Sequence, residues 1–210
     1  MLAFAALTVV ATAALLLAER SGWQPGAWIA KPLASAGFVG VALAGGALRS
    51  GYGTWLLLGL VLAWLGDVLL IPRGARATFL AGLVSFLLAH VAYAIAFAVR
   101  GLDLVTCLVA FVAVLPASLL ALRSLLPHVP APMRRPVLAY VVVISTMLVC
   151  AAGTVGHERR LAIALGAFAF YLSDLAVARE RFVVKSFANK LWGLPLYFGA
   201  QLLLASTVSA

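Results

Sequence analysis

Apolar residues run along this chain in long, nearly unbroken stretches, neither spaced as the stripe of a surface helix nor alternating as in a half-buried strand. Eight stretches, approximately 2–18, 28–48, 53–71, 77–99, 103–122, 136–153, 160–178 and 190–208, stand out. A helix crossing a hydrocarbon core of about 30 Å takes roughly 20 residues, so each is read as a crossing helix, the first of them short. The polar breaks are brief, "LPHVPAPMRRP" being the longest. The pattern predicts an all-α, polytopic membrane bundle of eight transmembrane helices, forming one integral membrane domain over residues 1–210. Met1 to Glu19 carries no Lys or Arg ahead of its apolar core, so the first stretch is expected to be a retained helix and not a cleaved leader.

Composition agrees. The chain is 65% hydrophobic and 10% charged, with a mean hydropathy of +1.15. That excess of apolar side chains excludes a water-soluble domain of this size.

Charge sets an expected orientation. The first, third, fifth and seventh connections hold 11 Lys and Arg, among them Lys31, Arg73, Arg135 and Lys190, while the even connections hold 4. Basic residues concentrate on the cytoplasmic side, which places both termini outside the cytoplasm. The net charge of +9 then forms a collar facing membrane lipids, and no basic soluble domain exists to bind nucleic acid. A composition rich in Ala, Leu, Gly and Val points to a bacterial inner membrane.

Two intramembrane carboxylates break the apolar pattern: Asp67 in "WLGDVLLIPR" and Asp174 in "FYLSDLAVAR", 107 residues apart on the third and seventh stretches. The same offset carries His90 onto Tyr197, and Lys31-Pro32 and Arg135-Pro136, read as the openings of the second and sixth helices, are 104 apart. A duplicated four-helix unit, 1–100 and 101–210, accounts for this spacing; so do chance echoes in an Ala/Leu-rich chain.

A carboxylate within a membrane helix costs on the order of 2.5–3.5 kcal/mol, so it generally faces a cavity or a partner. Both Asp residues lie about four residues from a cytoplasmic helix end, roughly 6 Å deep at 1.5 Å per residue. If the third and seventh helices are neighbours, the pair lines one pocket open to the cytoplasmic leaflet. The alternative is that each pairs with an arginine such as Arg73 or Arg179. Lys31 stands where it could meet a phosphate or one of the carboxylates, or simply snorkel to the interface. His90 shares a helix face with Tyr93, Tyr171 with Asp174, and Tyr197 with Gln201. These side chains either complete the pocket or tie helices together, the latter above all for Gln201.

Other chemistry lacks its residues. His128 and His157 fall in connections on opposite sides, leaving one membrane histidine, so no three-His zinc site is expected. Cys107 and Cys150 could meet near the outer helix ends, but their setting is that of small buried hydrophobes, and they fit no metal spacing. No G-x-S-x-G, Walker A or G-x-G-x-x-G pattern occurs, and no cofactor is expected.

At these positions the sequence resembles the YhhN family, whose animal members include the lysoplasmalogenases. The resemblance rests on "KPLASAGF", "WLGDVLL", "FLAGLVSFLLAHVAY", "GAFAFYLSDLAVA" and "LPLYFGAQLLL", in that order along nearly the whole chain. It implies hydrolysis of the vinyl ether bond of a lysoplasmalogen-like lysophospholipid, giving a fatty aldehyde and a glycerophospho-base. By motif match it puts the catalytic carboxylates on Asp67 and Asp174, with Lys31, His90, Tyr93 and Ser173 as further candidates. Tyr171, Tyr197 and Gln201 join them as candidate substrate contacts.

That chemistry begins with protonation of a carbon and passes through an oxocarbenium ion that water captures. It needs an acid and a nearby negative charge, which two carboxylates in a low-dielectric pocket can supply, one holding a proton and the other a charge. Asp174 is assigned as proton donor and Asp67 as cation stabiliser and base for water, with the reverse assignment open. Two other classes remain. A proton-coupled or lipid transporter would use the same carboxylates and should show helices broken near mid-membrane, whereas intramembrane prolines are read only at Pro116 and Pro195. A lipid-binding or structural protein would show no turnover.

Overall fold

The structure is a computed structural model that describes residues 1–72, 76–155 and 159–209. Among those residues the chain forms eight α-helices: α1 (Leu2–Ser21), α2 (Gln24–Ala44), α3 (Gly51–Leu69), α4 (Arg76–Arg100), α5 (Leu104–Leu125), α6 (Ala131–Gly153), α7 (Arg160–Ala178) and α8 (Phe187–Ser206). α7 runs on through a π-helical turn, Arg179–Val183. The only pairing of extended backbone among the described residues is an isolated bridge between Leu102 and Thr154, which ties the connection between α4 and α5 to the end of α6.

Local chemistry explains the ends. Ser50, Asp103 and Ser186 cap α3, α5 and α8, each accepting a backbone N–H of the first turn (Gly53, Thr106 and Ala188). Gly22, at φ 70, closes α1 in the left-handed conformation that glycine adopts without strain.

Two starts differ from expectation. α2 begins at Gln24 and α6 at Ala131, so Pro32 and Pro136 lie inside their helices and do not open them. The starting prolines are Pro25 and Pro132, in the first helical turn where a missing N–H costs nothing. Pro116 and Pro195 are also internal, and all four helices run on through their prolines. The carbonyl of Pro32 accepts the Trp64 indole N–H of α3 at 3.2 Å.

α1 to α7 are long and apolar enough to cross a membrane, which makes the protein multi-pass. α8 matches them in length at 20 residues, and its polar Asn189 and Gln201 are buried against its neighbours. The largest interfaces join α3 to α4, α7 to α8 and α1 to α2, with α5 on α6. α2 against α8 and α4 against α6 stitch these pairs into one bundle. In α3, Gly59 lies under the Tyr93 ring and Gly66 under that of Phe86, so any Cβ there would strike an aromatic ring of α4. Small residues at such points let membrane helices approach closely. One large core cluster fills the centre, with Phe38, Phe86, Phe170, Tyr197 and Phe198 meeting edge-on or tilted.

Candidate active site

A cavity of about 510 Å³ enters the bundle at the end formed by the start of α2, the ends of α3 and α7 and the start of α8. Its deeper wall is mostly apolar, with Leu15, Leu83, Phe86, Val137 and Ile144, and both Asp67 and Asp174 line it. α3 packs chiefly on α4 and α2, and α7 on α8 and α6, so the carboxylates meet across the cavity without their helices being close neighbours.

The two are held differently. Asp67 is 2% exposed and surrounded by donors. Its Oδ2 accepts the Ser35 hydroxyl at 2.6 Å and the Tyr197 hydroxyl at 2.6 Å. Its Oδ1 lies 3.2 Å from the Lys31 ammonium. Lys31 and Ser35 sit one turn apart on α2, so that helix presents a charge and a hydroxyl to the same carboxylate. A cation and two hydroxyl donors thus converge on one carboxylate, an arrangement that favours its charged form.

Asp174 is 16% exposed and has fewer partners. Its Oδ2 accepts the Tyr140 hydroxyl of α6 at 2.7 Å, and His90 Nε2 of α4 faces the same oxygen at 3.5 Å. The arrangement therefore offers one carboxylate held by three donors and one that is more open to the cavity.

At the mouth Lys190 donates to Glu19 at 2.6 Å and lies 3.9 Å from Glu180. Glu180 also accepts from Ser186 N and Asn189 Nδ2, which fixes the turn between α7 and α8. Arg181 lies over the Phe79 ring at 4.0 Å. Lys185 lines the mouth as well and has no carboxylate partner among the described residues.

Of the positions singled out from the sequence, Lys31, Asp67, Tyr171, Ser173, Asp174 and Tyr197 line the cavity. His90, Tyr93 and Gln201 stand behind its wall, with no exposed surface. Tyr93 donates to Gln201 Oε1 at 2.7 Å and so joins α4 to α8. Tyr171 bonds Ser118 of α5 at 3.0 Å, and Ser173 donates back to the Phe170 carbonyl at 2.7 Å. Neither Asp pairs with an arginine among the described residues, and Arg73 and His157 lie outside them.

Ser35 and Tyr140 are the two contacts that sequence reading missed. Ser35 had a local signal, one turn beyond Lys31 within "KPLASAGF"; Tyr140, on a helix without an intramembrane charge, had none. Among the described residues no group of three or more His, Cys, Asp or Glu could hold a metal. Cys107 and Cys150 are both free and partly buried.

The profile of the YhhN family matches residues 26–208. Over 158 residues, 72% of its length, the chain is 30% identical to lysoplasmalogenase TMEM86A from Bos taurus. That match spans 64% of the relative's own length. No solved structure matches the chain.

Proposed function

The chain belongs to the YhhN family, and from that premise we propose that it is a lysoplasmalogenase-like membrane hydrolase that cleaves the vinyl ether bond of a lysophospholipid. The observation that carries the proposal is the pair of unlike carboxylates facing one cavity: Asp67 held by three donors, Asp174 partly exposed with a single hydrogen bond among the described residues.

Asp174 protonates the β-carbon of the vinyl ether, forming a C–H bond and leaving an oxocarbenium ion. The fixed charge of Asp67 stabilises that cation across the cavity. Water then adds to the cation and gives its proton to Asp67, producing a hemiacetal. On collapse Asp67 returns this proton to the departing glycerol oxygen, while the hemiacetal hydroxyl proton restores Asp174. The products are a fatty aldehyde and a glycerophospho-base, and both carboxyl groups end as they began.

The deeper apolar wall suits a single hydrocarbon chain, with the headgroup at the mouth. Lys31 and Lys190 are already engaged with Asp67 and Glu19, so Arg181 and Lys185 are the cations offered to the phosphate. Both termini face away from the cytoplasm and the protein resides in a bacterial inner membrane. The two halves descend from a duplicated four-helix unit. Matched environments support that origin: Asp67 meets Ser35 of α2 and Tyr197 of α8, while Asp174 meets Tyr140 of α6 and His90 of α4.

The test is aldehyde release by the purified protein in detergent from an alkenyl lysophosphoethanolamine, beside its ester and alkyl ether analogues. Turnover of the alkenyl lipid alone supports the reading. Folded protein inert on all three contradicts it and brings forward a transporter built on the same carboxylates.

A further inference from the structure

His90 is completely buried, yet it is placed with unusual definiteness. Its Nδ1 lies 2.6 Å from the carbonyl oxygen of Phe86, one turn earlier on α4. A carbonyl only accepts, so Nδ1 carries a hydrogen and donates it. In the neutral ring Nε2 is then a bare lone pair. That atom has no hydrogen-bond partner among the described residues, and Asp174 Oδ2 faces it at 3.5 Å. Phe170, at 4.5 Å between ring centres, and Tyr140, edge-on at 5.3 Å, hold the ring on either side.

Two acceptors facing each other in a buried site, with no water-filled surface around Nε2, are mutually repulsive unless a proton lies between them. Tyr140 does not supply it, because its hydroxyl already donates to the same Oδ2. Across the cavity Asp67 needs no proton, since Lys31, Ser35 and Tyr197 all direct donors at it.

We propose that His90 and Asp174 hold one proton in common, and that His90 is a positioning residue which keeps that proton at the cavity without touching substrate. The separation of 3.5 Å exceeds a normal hydrogen bond of about 2.7–3.2 Å, so Nε2 orients the proton without trapping it. Asp174 remains able to turn it toward a bound lipid. After transfer to carbon the pair is left without a proton, a repulsive state that favours its return from the hemiacetal.

The shared proton is independent of the substrate, whereas its catalytic use rests on the hydrolase reading; the experiment separates them. Protein labelled with nitrogen-15 in histidine is followed by NMR without lipid, the His90 signals being assigned by their loss in His90→Phe. Expected is a hydrogen on Nδ1 and an Nε2 resonance that moves when Asp174→Asn is introduced. An Nε2 resonance indifferent to Asp174→Asn, or a ring protonated at Nε2 and bare at Nδ1, overturns the proposal.

The second arm measures turnover of the alkenyl lipid. His90→Phe is expected to lower kcat about 100-fold, the scale of general acid catalysis, with KM changed by less than about twofold because His90 stands outside the cavity wall. His90→Gln supplies a donor for the Phe86 carbonyl and an acceptor for the proton, and is expected to recover part of the loss. A kcat unchanged in folded His90→Phe, or a rise in KM alone, overturns the positioning role. If no variant and no wild type turns over while the NMR coupling is present, the hydrolase reading fails and the shared proton stands.

Discussion

Removing the Lys31 ammonium should leave a buried charge without its counterion. At 3.2 Å from Asp67 Oδ1, an ion pair in an effective dielectric of about 20 gains about 5 kcal/mol of Coulomb energy. Desolvation of both charges offsets part of this, and Ser35 and Tyr197 continue to support the carboxylate after Lys31→Met. Lys31 also reaches the cavity, being 14% exposed, so water can partly replace it. The expected net loss is about 2–4 kcal/mol, a fall in thermal midpoint on the order of 5–15 °C for a chain of this size. Asp67→Asn should cost less, because Lys31 can turn into the cavity, and the double variant should be close to Asp67→Asn alone. The assay is a double-mutant cycle on thermal unfolding in detergent, with a coupling of at least about 1.5 kcal/mol expected. Additive losses, or a Lys31→Met variant as stable as wild type, would refute an ion pair that holds Asp67 ionised.

Tyr140→Phe removes the only hydrogen bond given to Asp174 among the described residues; it should cost about 1 kcal/mol of stability and alter turnover more than lipid binding, which equilibrium binding and initial rates together will show. Gly59→Ala pushes a methyl group into the Tyr93 ring; displacing α4 from α3 should cost about 1–3 kcal/mol, read as a lower unfolding midpoint, with Leu at the same position worse. The proposed orientation requires that Ser209→Cys, in a Cys107→Ala/Cys150→Ala background, react with a membrane-impermeant thiol reagent on intact cells; labelling only after lysis would reverse it.

Much of the fold was readable because a membrane helix must satisfy its backbone internally and show a long apolar run. Helix starts were less readable: Pro32 and Pro136 looked like openings, but their helices begin about a turn or two earlier, at Gln24 and Ala131. An internal proline lacks one N–H and frees the carbonyl four residues before it, a loss that a long membrane helix packed against its neighbours tolerates, so a proline in an apolar run does not mark a start. Asp67, Asp174 and Lys31 announced themselves as charges in apolar company. The meeting of His90 with Asp174 did not: α7 ends at Ala178 as expected, but the π turn Arg179–Val183 carries the helical rod further and sets Asp174 nine residues from Val183, where it meets His90. Tyr140 was invisible for a different reason. Which of five tyrosines faces a carboxylate is decided by helix rotation, and an apolar run facing lipid on one side and protein on the other does not encode that angle.

The most direct measurement compares wild type, Asp67→Asn and Asp174→Asn, purified and shown to be folded, for aldehyde release from an alkenyl lysophosphoethanolamine. The account predicts turnover by wild type and its loss in both variants, with lipid binding retained. Wild-type turnover that survives either substitution would contradict the carboxylate-pair mechanism.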